Sequence, residues 1–307
     1  MPNELSGKPV SLELNRVCKT LIADYQLKPC MVLIQVGEDP ASSFYVQSII
    51  NSGTKLGCEC RLHTMAADTS ENVLLELIET ANNDDSINGI MIQKPLPRQI
   101  SDSRINLAVS PNKDLDCLHP TNLGKIMMEL EGFLPCTPAA VYYCMQYYGI
   151  DPVGKNLVVL GRSNVVGKPL ANMLLWKKAF ANATVTVCHS QTRNLSMITS
   201  RADILVTAIG KANFVSAEMI KENSILLDVG INEVKDGSGA SVYVGDVDYK
   251  SCYDKALAIT PVPGGIGRIT TSVLYLNLLK ATLLQQGQNK SIDEYIALIF
   301  SAKRKEY

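Results

Sequence analysis

The chain has 307 residues, of which 46% are hydrophobic and 19% are charged, and its 29 lysine and arginine residues nearly balance 30 acidic ones. This length is sufficient for about two domains with substantial cores. A net charge of −1 argues against nucleic acid or an anionic membrane as a partner, because both attract strongly basic surfaces. The longest apolar runs have the length of strands, far below the roughly 20 residues that cross a bilayer.

The N-terminus, the cysteines and the histidines indicate an ordinary cytoplasmic protein. Residues 1–5 lack the basic start and the apolar stretch of a secretory signal, so we expect a cytoplasmic location. The nine cysteines have no repeated CxxC spacing and lie mostly in apolar segments, which favours reduced core thiols. His63, His119 and His189 are far apart in the chain, so no metal site is predicted.

The first half of the chain alternates between helical and strand patterns. The predicted helices have apolar residues at helical spacing, and the predicted strands are short apolar runs closed by turn residues. In chain order they are a helix over 6–25, a strand over 31–36, a helix over 41–56 ending at Gly57, a strand over 60–65, a helix after 70 with Val73, Leu74, Leu77 and Ile78 on one face, and a strand over 89–92. Strands separated by helices predict a mostly parallel sheet.

The second half repeats this alternation with clearer signals. Strands are predicted over 156–160, 183–188, 204–208 and 224–228, with a helix over 168–178, which is the order of a doubly wound α/β sheet. Pro135 and Pro138 precede a predicted helix over 139–148 and indicate a hinge between two domains. A last helix over 270–284 is predicted to return to the first domain.

A turn between a predicted strand and a predicted helix is a candidate phosphate site. It reads Gly161-Arg162-Ser163-Asn164-Val165-Val166-Gly167, and backbone N–H groups at a helix start attract phosphate. The spacing is not G-x-G-x-x-G, so a glycine-containing turn without a ligand stays the alternative.

The end of the next strand favours one dinucleotide over the other. NAD sites usually have an acidic residue there, whereas this chain reads Cys188-His189-Ser190-Gln191-Thr192-Arg193. Arg162 with Ser190, and Arg193 as a further candidate, could bind a 2′-phosphate, which favours NADP. Both arginines could also be solvated surface charges.

Four other segments are candidates for ligand contact. In Thr260–Gly267 prolines fix the backbone and glycines permit close approach to a flat ligand, although a purely structural turn is an alternative. Tyr45, at the start of a helix, could stack on a ring or could be a core tyrosine. Gln93–Pro97 follows a parallel strand at the edge where α/β proteins bind ligands, and a carboxylate in Asp114–Asp116 could bind ring N–H groups. Each of these last two segments could instead be a helix cap or a solvated loop.

Together these segments resemble the methylenetetrahydrofolate dehydrogenase/cyclohydrolase family of one-carbon metabolism, over nearly the whole chain. The resemblance implies a two-domain α/β enzyme that uses NADP and tetrahydrofolate derivatives, usually as a homodimer joined through the cofactor domains. It implies a folate-binding catalytic domain over 1–137 plus 271–307, a Rossmann-type NADP-binding domain over 138–270, and a folate cleft between them.

The resemblance also assigns roles to individual residues. Tyr45 would line the pterin site, Gln93 would lie beside the catalytic group, and Asp116 would anchor the pterin edge. The loop residues along the folate and the nicotinamide would be Pro263, Gly264, Gly265, Ile266 and Gly267. The cofactor-binding residues would be Gly161, Arg162, Ser163, Gly167, Ser190 and Ile231, the last through its backbone.

Several positions depart from the family pattern. The lysine that normally follows the tyrosine by one helical turn is Ile49 here, and a second lysine is Asn51. The leucine after the glutamine is Lys94, and the glycine after the second aspartate is Cys117. Pro-Met after the glycine loop has become Arg268-Ile269.

These departures affect the two half-reactions differently. Hydride transfer from methylenetetrahydrofolate removes no proton and needs chiefly alignment, so it can survive isoleucine at position 49. Hydrolysis of the methenyl product requires water to lose a proton, and isoleucine cannot serve as base. We therefore expect a dehydrogenase with weak or lost cyclohydrolase activity. One alternative is a bifunctional enzyme in which Lys94 substitutes for the missing lysine, although Lys94 could also be a plain surface lysine or contact the polyglutamate tail. Another alternative is a non-catalytic folate- and NADP-binding protein.

Overall fold

The computed structural model describes residues 3–288, 292, 295–297, 299 and 300. The strands are β1 (Asn3–Glu4), β2 (Cys30–Val36), β3 (Glu59–Met65), β4 (Gly89–Ile92), β5 (Asn156–Leu160), β6 (Thr184–Cys188), β7 (Ile204–Thr207), β8 (Ile225–Asp228), β9 (Asn232–Lys235), β10 (Ser241–Val244) and β11 (Ala258–Ile259). The helices are α1 (Gly7–Asp24), α2 (Pro40–Leu56), α3 (Glu71–Asn83), α4 (Asp102–Ala108), α5 (Pro120–Met127), α6 (Cys136–Tyr148), α7 (Gly167–Leu174), α8 (Leu195–Thr199), α9 (Tyr249–Cys252) and α10 (Thr270–Gln285).

The described residues divide into two compact units. The six-stranded unit takes its residues from Met1–Glu13, Pro135–Thr270 and Ala297–Tyr307, and the three-stranded unit from Leu14–Leu134 and Thr271–Ile296. The main sheet of each unit is entirely parallel. The predicted α/β class with two domains is therefore confirmed. Among the residues described above, no helix combines the length and the hydropathy needed to cross a membrane.

The sheet of the six-stranded unit has the order β1-β11-β8-β7-β5-β6. Because β5 lies between β6 and β7, the next strands along the chain pair with opposite edges of β5. Parallel α/β sheets bind ligands at such a switch point, beyond the carboxyl ends of the strands. Four of the five residues of β5 are buried, as expected for a central parallel strand that reads as one apolar run.

The sheet of the three-stranded unit has the order β3-β2-β4, and all seven residues of the central β2 are buried. Ile34 of β2 pairs with Ile92 of β4, and both belong to a core that includes Ile78 of α3 and Ile105 of α4. The last helix, α10, lies in this unit, as predicted. Its buried Asn277 fixes it there, because the side-chain amide contacts backbone groups of preceding loops.

Helix α2 begins and ends where its sequence predicts. The Asp39 carboxylate accepts a hydrogen bond from the N–H of Ser42 at 2.8 Å, and Pro40 occupies the first helical turn. Gly57 ends the helix in the left-handed conformation, with φ 86°, which is the usual role of glycine at this position.

Some sequence expectations were wrong in detail. The helix expected over 168–178 ends at Leu174, and residues 175–178 form turns and bends. Val73 does not share the buried face of α3, because its side chain is 49% exposed, whereas Leu74 and Ile78 are fully buried. Helices α4, α5, α8 and α9 and the antiparallel hairpin of β9 and β10 were not expected, since their short segments lack a long apolar periodicity.

The compact units differ from the predicted domain assignment at both chain ends. The assignment places all of 1–137 and 271–307 together, whereas β1 pairs in parallel with β11 of the six-stranded sheet. Phe300 packs edge-on against Tyr147 of α6, with ring centroids 5.5 Å apart, in the same unit. Strand pairing and aromatic packing therefore place β1 and Phe300 in the six-stranded unit. The functional domain boundaries stay a prediction.

Candidate functional site

The carboxyl ends of β5, β6 and β7 surround a cavity of about 280 Å³ in the six-stranded unit. Three predicted residues line it: Gly161 and Arg162 after β5, and Ser190 after β6. Lys211 and Phe214, which the sequence analysis did not single out, line it as well. The cavity therefore lies at the switch point of the sheet, where a dinucleotide is expected.

The turn after β5 requires glycine at both of its ends. A Cβ atom on Gly161 would lie 2.3 Å from the carbonyl oxygen of Ala208, and Gly161 has φ 133°. A Cβ atom on Gly167 would lie 2.1 Å from the carbonyl oxygen of Gly161. Between them, the Ser163 hydroxyl accepts a hydrogen bond from the N–H of Val166 at 3.1 Å. Gly167 and Ser163 thus shape the turn and bring the start of α7 close to β5.

A buried carboxylate holds the loop after β7. Asp246 has no exposed surface and accepts hydrogen bonds from the N–H groups of Ile209 at 2.6 Å, Gly210 at 3.2 Å and Lys211 at 2.8 Å. The carboxylate also accepts a hydrogen bond from the side-chain amide of Asn232 at 3.0 Å. Asp246 therefore fixes the backbone from which Lys211 projects. The sequence gives no signal for this role, since Asp246 lies outside every predicted element and motif.

Asp228, at the end of β8, is a second buried carboxylate in this region. It accepts hydrogen bonds from the Thr207 hydroxyl at 2.9 Å and from the N–H groups of Gly230 at 2.9 Å and Val247 at 2.8 Å. Burial raises the pKa of Asp228 to about 6, against these hydrogen bonds, and the charge of neighbouring Asp246 adds to the rise. Two acids thus organise the loops beyond β7 and β8.

The glycine loop Thr260–Gly267 is held by contacts within the same unit. The Thr260 hydroxyl accepts a hydrogen bond from the Asp228 N–H at 2.7 Å, and the carbonyl of Gly264 accepts one from the Gly7 N–H at 2.8 Å. Gly264 has φ 112°, a backbone conformation that side chains rarely adopt. The loop is therefore a rigid, side-chain-poor surface. Of the other predicted loop residues, Pro263 is exposed, whereas Gly265 and Ile266 are buried.

Ile231 lies against this loop. A Cβ atom on Gly267 would be 3.0 Å from Cδ1 of Ile231, and the Ile231 side chain is 60% exposed. The structure thus brings together Ile231 and the end of the glycine loop, two segments to which the resemblance gives neighbouring roles. Arg268, at the first departure after the loop, is exposed, and Ile269 is buried.

Gln93 directly follows β4 in the three-stranded unit. Its N–H donates to the Ile34 carbonyl at 2.8 Å, and its side-chain Nε2 donates to the Lys94 carbonyl at 2.6 Å. The Oε1 atom is buried and has no hydrogen-bond partner among the described residues. Since buried polar atoms are normally paired, this oxygen is an acceptor suited to a ligand N–H.

Asp116 is partly buried and lies between residues that are held firmly. The carboxylate of Asp114 accepts hydrogen bonds from the N–H groups of Leu118 at 3.1 Å and His119 at 2.9 Å, so it shapes the turn after Asp116. On the other side, Asn277 of α10 donates to the carbonyl of Leu115 at 2.8 Å. A parallel bridge between residues 90 and 114 also connects this segment to β4, which Gln93 directly follows. The sequence analysis considered Asp114 as a ligand contact or a cap, and the structure gives it the second kind of role, whereas Asn277 was not singled out.

Tyr45 and Ile49 are one turn apart on α2 but differ in exposure. Tyr45 is partly buried, whereas Ile49 has no exposed surface. The backbone carbonyl of Ile49 accepts a hydrogen bond from the Tyr275 hydroxyl of α10 at 2.6 Å, which fixes this turn of the helix. Asn51, the second departure on this helix, is exposed and accepts a hydrogen bond from Gln47.

Lys94 has a partner of its own. Its ammonium forms an ion pair with Asp102 at the start of α4, and its side chain is 29% exposed. Cys117 is fully buried, and its thiol donates to the Phe133 carbonyl at 3.3 Å. Its φ of 56° lies in the left-handed region, which favours glycine, the residue that the resemblance implies for this position.

The predicted residues thus fall into two groups. Tyr45, Ile49, Gln93, Lys94 and Asp116 belong to the three-stranded unit. The phosphate turn, Ser190, Ile231 and the glycine loop belong to the six-stranded unit.

Comparison with known proteins identifies the family of both units. Residues 5–116 match the model of the tetrahydrofolate dehydrogenase/cyclohydrolase catalytic domain, and residues 135–286 match that of its NAD(P)-binding domain. The chain is 44% identical over 285 residues to the bifunctional protein FolD of Chlorobium chlorochromatii, covering 90% of this chain and 97% of the relative.

Two solved structures extend this likeness. The bifunctional FolD methylenetetrahydrofolate dehydrogenase/cyclohydrolase of Campylobacter jejuni has a TM-score of 0.85 and 39% identity, covering 92% of this chain and 99% of that one. The dehydrogenase-cyclohydrolase of Trypanosoma brucei, solved with NADP and an inhibitor, has a TM-score of 0.83 and 31% identity, covering 92% and 98%. The chain therefore belongs to the tetrahydrofolate dehydrogenase/cyclohydrolase family.

Proposed function

We propose that this protein oxidises methylenetetrahydrofolate to methenyltetrahydrofolate with NADP, and that its cyclohydrolase step is weak or lost. Both family domains are present, and a relative of the same fold has been solved with NADP. The proposal is narrower than the bifunctional activity named for the relatives, because it depends on what this chain carries at position 49.

The six-stranded unit provides a site that fits NADP. The glycine-crowded turn after β5 places backbone N–H groups near the cavity at the switch point, where a pyrophosphate is expected. Arg162 and Ser190 line the cavity, and its lining contains no carboxylate that would repel a 2′-phosphate. When bound, NADP supplies the nicotinamide that accepts the hydride.

On the folate side, we assign three roles. Gln93 would accept a hydrogen bond from the pterin through its unpaired Oε1, Asp116 would bind the pterin amino and ring N–H groups, and Tyr45 would line the ring. Pro263, Gly264, Gly265, Ile266 and Gly267 would form the side-chain-poor surface along the folate and the nicotinamide, with the Ile231 backbone at the carboxamide. Hydride transfer requires chiefly alignment of donor and acceptor, so these groups would serve it by holding their ligands in place.

One observation carries the loss of hydrolysis. Ile49, at the position where the family has a lysine, is aliphatic and fully buried, so it can neither remove a proton nor orient a water molecule. A positioned acid or base typically contributes about 10²–10⁴-fold to such a step. The candidate substitute, Lys94, is bound to Asp102, which argues against its replacing the missing lysine.

The test follows both steps in one mixture. The protein is incubated with methylenetetrahydrofolate and NADP, and the formation of NADPH and the level of methenyl product are recorded together. We expect NADPH to form and the methenyl product to accumulate. The methenyl product should then disappear only at the rate of non-enzymatic hydrolysis. Rapid consumption of the methenyl product would restore a bifunctional enzyme, and absence of NADPH formation would favour the non-catalytic folate- and NADP-binding protein.

A variant separates the remaining alternative. If hydrolysis is rapid and Lys94→Met abolishes it while Asp102→Asn does not, Lys94 has replaced the family lysine. If Lys94→Met leaves both steps unchanged, Lys94 is a structural partner of α4. We further propose a cytoplasmic location. From family likeness alone, we propose a homodimer and the functional domains 1–137 plus 271–307 and 138–270.

A further inference from the structure

A second cation lines the cavity at the switch point. Besides Arg162 after β5, the lining includes Lys211 from the loop after β7, opposite the end of β6 that carries His189 and Ser190. No aspartate or glutamate is among the residues that line it. A cavity lined by two basic side chains and no acidic one attracts an anion.

The position of Lys211 is fixed from both sides. Its backbone N–H donates to the fully buried carboxylate of Asp246 at 2.8 Å, as do the two preceding residues. Its ammonium lies 5.3 Å from the ring centroid of Phe214, within the range of a cation–π contact. The hydrogen-bonded backbone and the contact with the Phe214 ring therefore hold the ammonium at the cavity.

Other residues of the cavity lining are also suited to an adenosine phosphate. Phe214 is 38% exposed and lines the cavity, and an aromatic ring is a suitable surface for packing a flat base. The Ser190 hydroxyl and Arg162 supply the hydrogen-bond donors that a phosphate monoester requires. NAD lacks this extra phosphate, so a cation at this point distinguishes the two cofactors.

We propose that Lys211 binds the 2′-phosphate together with Arg162 and thereby sets the preference for NADP over NAD. The inference deepens the proposed function, since it assigns the specificity of the same cofactor site. Lys211 is a specificity residue and takes no part in hydride transfer.

The experiment measures direct binding to the full-length protein, with 2′,5′-ADP and 5′-AMP as probes, by titration calorimetry. We expect Lys211→Met to raise the Kd for 2′,5′-ADP about tenfold, the usual value of one charge-assisted hydrogen bond, and to leave the Kd for 5′-AMP unchanged. The salt dependence of 2′,5′-ADP binding should also weaken. Lys211→Arg should keep most of the discrimination.

A charge-matched control is available in the same unit. Lys235 is exposed on the hairpin, where its ammonium contacts the Ser241 hydroxyl at 2.6 Å, and Lys235→Met removes the same charge away from the cavity lining. We expect it to change neither Kd. If Lys211→Met weakens both probes equally, or neither, the assignment is wrong.

This design separates the two proposals. Absence of NADPH formation in the natural protein would contradict the proposed function, but the ratio of the two Kd values would still be measurable. A normal dehydrogenase whose Lys211→Met variant keeps its full preference for 2′,5′-ADP would contradict only the role of Lys211.

Discussion

The turn Gly161–Gly167 and the helix α2 both carry motifs of the resemblance, but the candidate site at the turn depends on the backbone, whereas the one on α2 depends on side chains. The turn is defined by backbone crowding, because neither Gly161 nor Gly167 has room for a Cβ atom. On α2 the site depends on which side chain each turn of the helix carries. Tyr45 is partly exposed, whereas Ile49, one turn later, is buried. A backbone-built site tolerates no substitution, whereas a side-chain-built site can lose one activity while its fold is kept.

The largest effect is expected from Gly167→Ala. The new Cβ atom would lie 2.1 Å from the Gly161 carbonyl oxygen, so the turn must open. We expect NADP binding to weaken by more than about a hundredfold and the free energy of unfolding to fall by about 3 kcal/mol. Calorimetry and urea denaturation measure both quantities.

Gly237→Ala is the matched control for this change. A Cβ atom at Gly237 has no neighbour within 4 Å, so we expect a change within about 0.5 kcal/mol and normal NADP binding. Equal behaviour of the two variants would show that the turn is not defined by crowding.

The next effect tests the side-chain-built region. Ile49→Lys places an amine at a site without exposed surface, so we expect the free energy of unfolding to fall by about 3 kcal/mol at pH 7. The loss should be smaller at pH 9, because burial lowers the pKa of the new amine and the neutral form predominates there. Ile49→Met should cost less than about 1.5 kcal/mol.

A small loss in Ile49→Lys at pH 7, accompanied by a gain of methenyl hydrolysis, would mean that the lysine stem reaches a ligand-accessible surface. The buried position would then be compatible with the family's lysine, and the difference between the two half-reactions would rest on this one residue.

The pH dependence of stability probes the loops of the six-stranded unit. Burial raises the pKa of Asp228 to about 6 from its ordinary value near 3.8, so the folded protein binds this proton more tightly than the unfolded chain. Its contribution is fully present below about pH 4 and is lost as the pH rises through 6, by at most about 3 kcal/mol. Carboxyl-carbon NMR titration of the natural protein and of Asp228→Asn identifies the signal and its midpoint.

Asp203 gives the opposite behaviour as an internal reference. Its ion pair with Lys221 and the hydrogen bond from the Asn156 N–H lower its pKa, so its contribution is lost as the pH falls. A midpoint for Asp228 at or below that of Asp203 would contradict the effect of burial.

The smallest effect concerns Cys117. Because its φ is 56°, a Cβ atom is strained there, so Cys117→Gly should be about 1 kcal/mol more stable than Cys117→Ala. Glycine normally lowers stability relative to alanine, so the reversed sign in chemical denaturation is diagnostic. The usual order, with the alanine variant more stable, would contradict the strain.

Elements marked by an apolar run or by turn residues could be predicted from the sequence, while elements without such a signal could not. Strand β4 and the cap of α2 at Gly57 follow from apolar runs and turn residues and were predicted at their bounds. Helix α5 and the β9–β10 hairpin depend on contacts made by the folded chain, and their sequences carry little periodicity.

The candidate site divides in the same way. The motifs identified Gly161, Arg162 and Ser190, which line one cavity. They did not identify Lys211, because nothing in the sequence indicates that Asp246 holds its loop against that cavity. Contacts between residues distant in the chain decide such roles.

The sequence by itself determined the α/β class, the parallel strands and the family, because hydrophobic periodicity and glycine spacing are local properties. It also determined that position 49 carries no titratable group. Only the tertiary structure decided that Ile49 is buried, that Lys94 is bound to Asp102, and that Lys211 and Arg162 line one cavity. Exposure and charge pairing depend on which distant segments pack together, and that information appears only when the chain is folded.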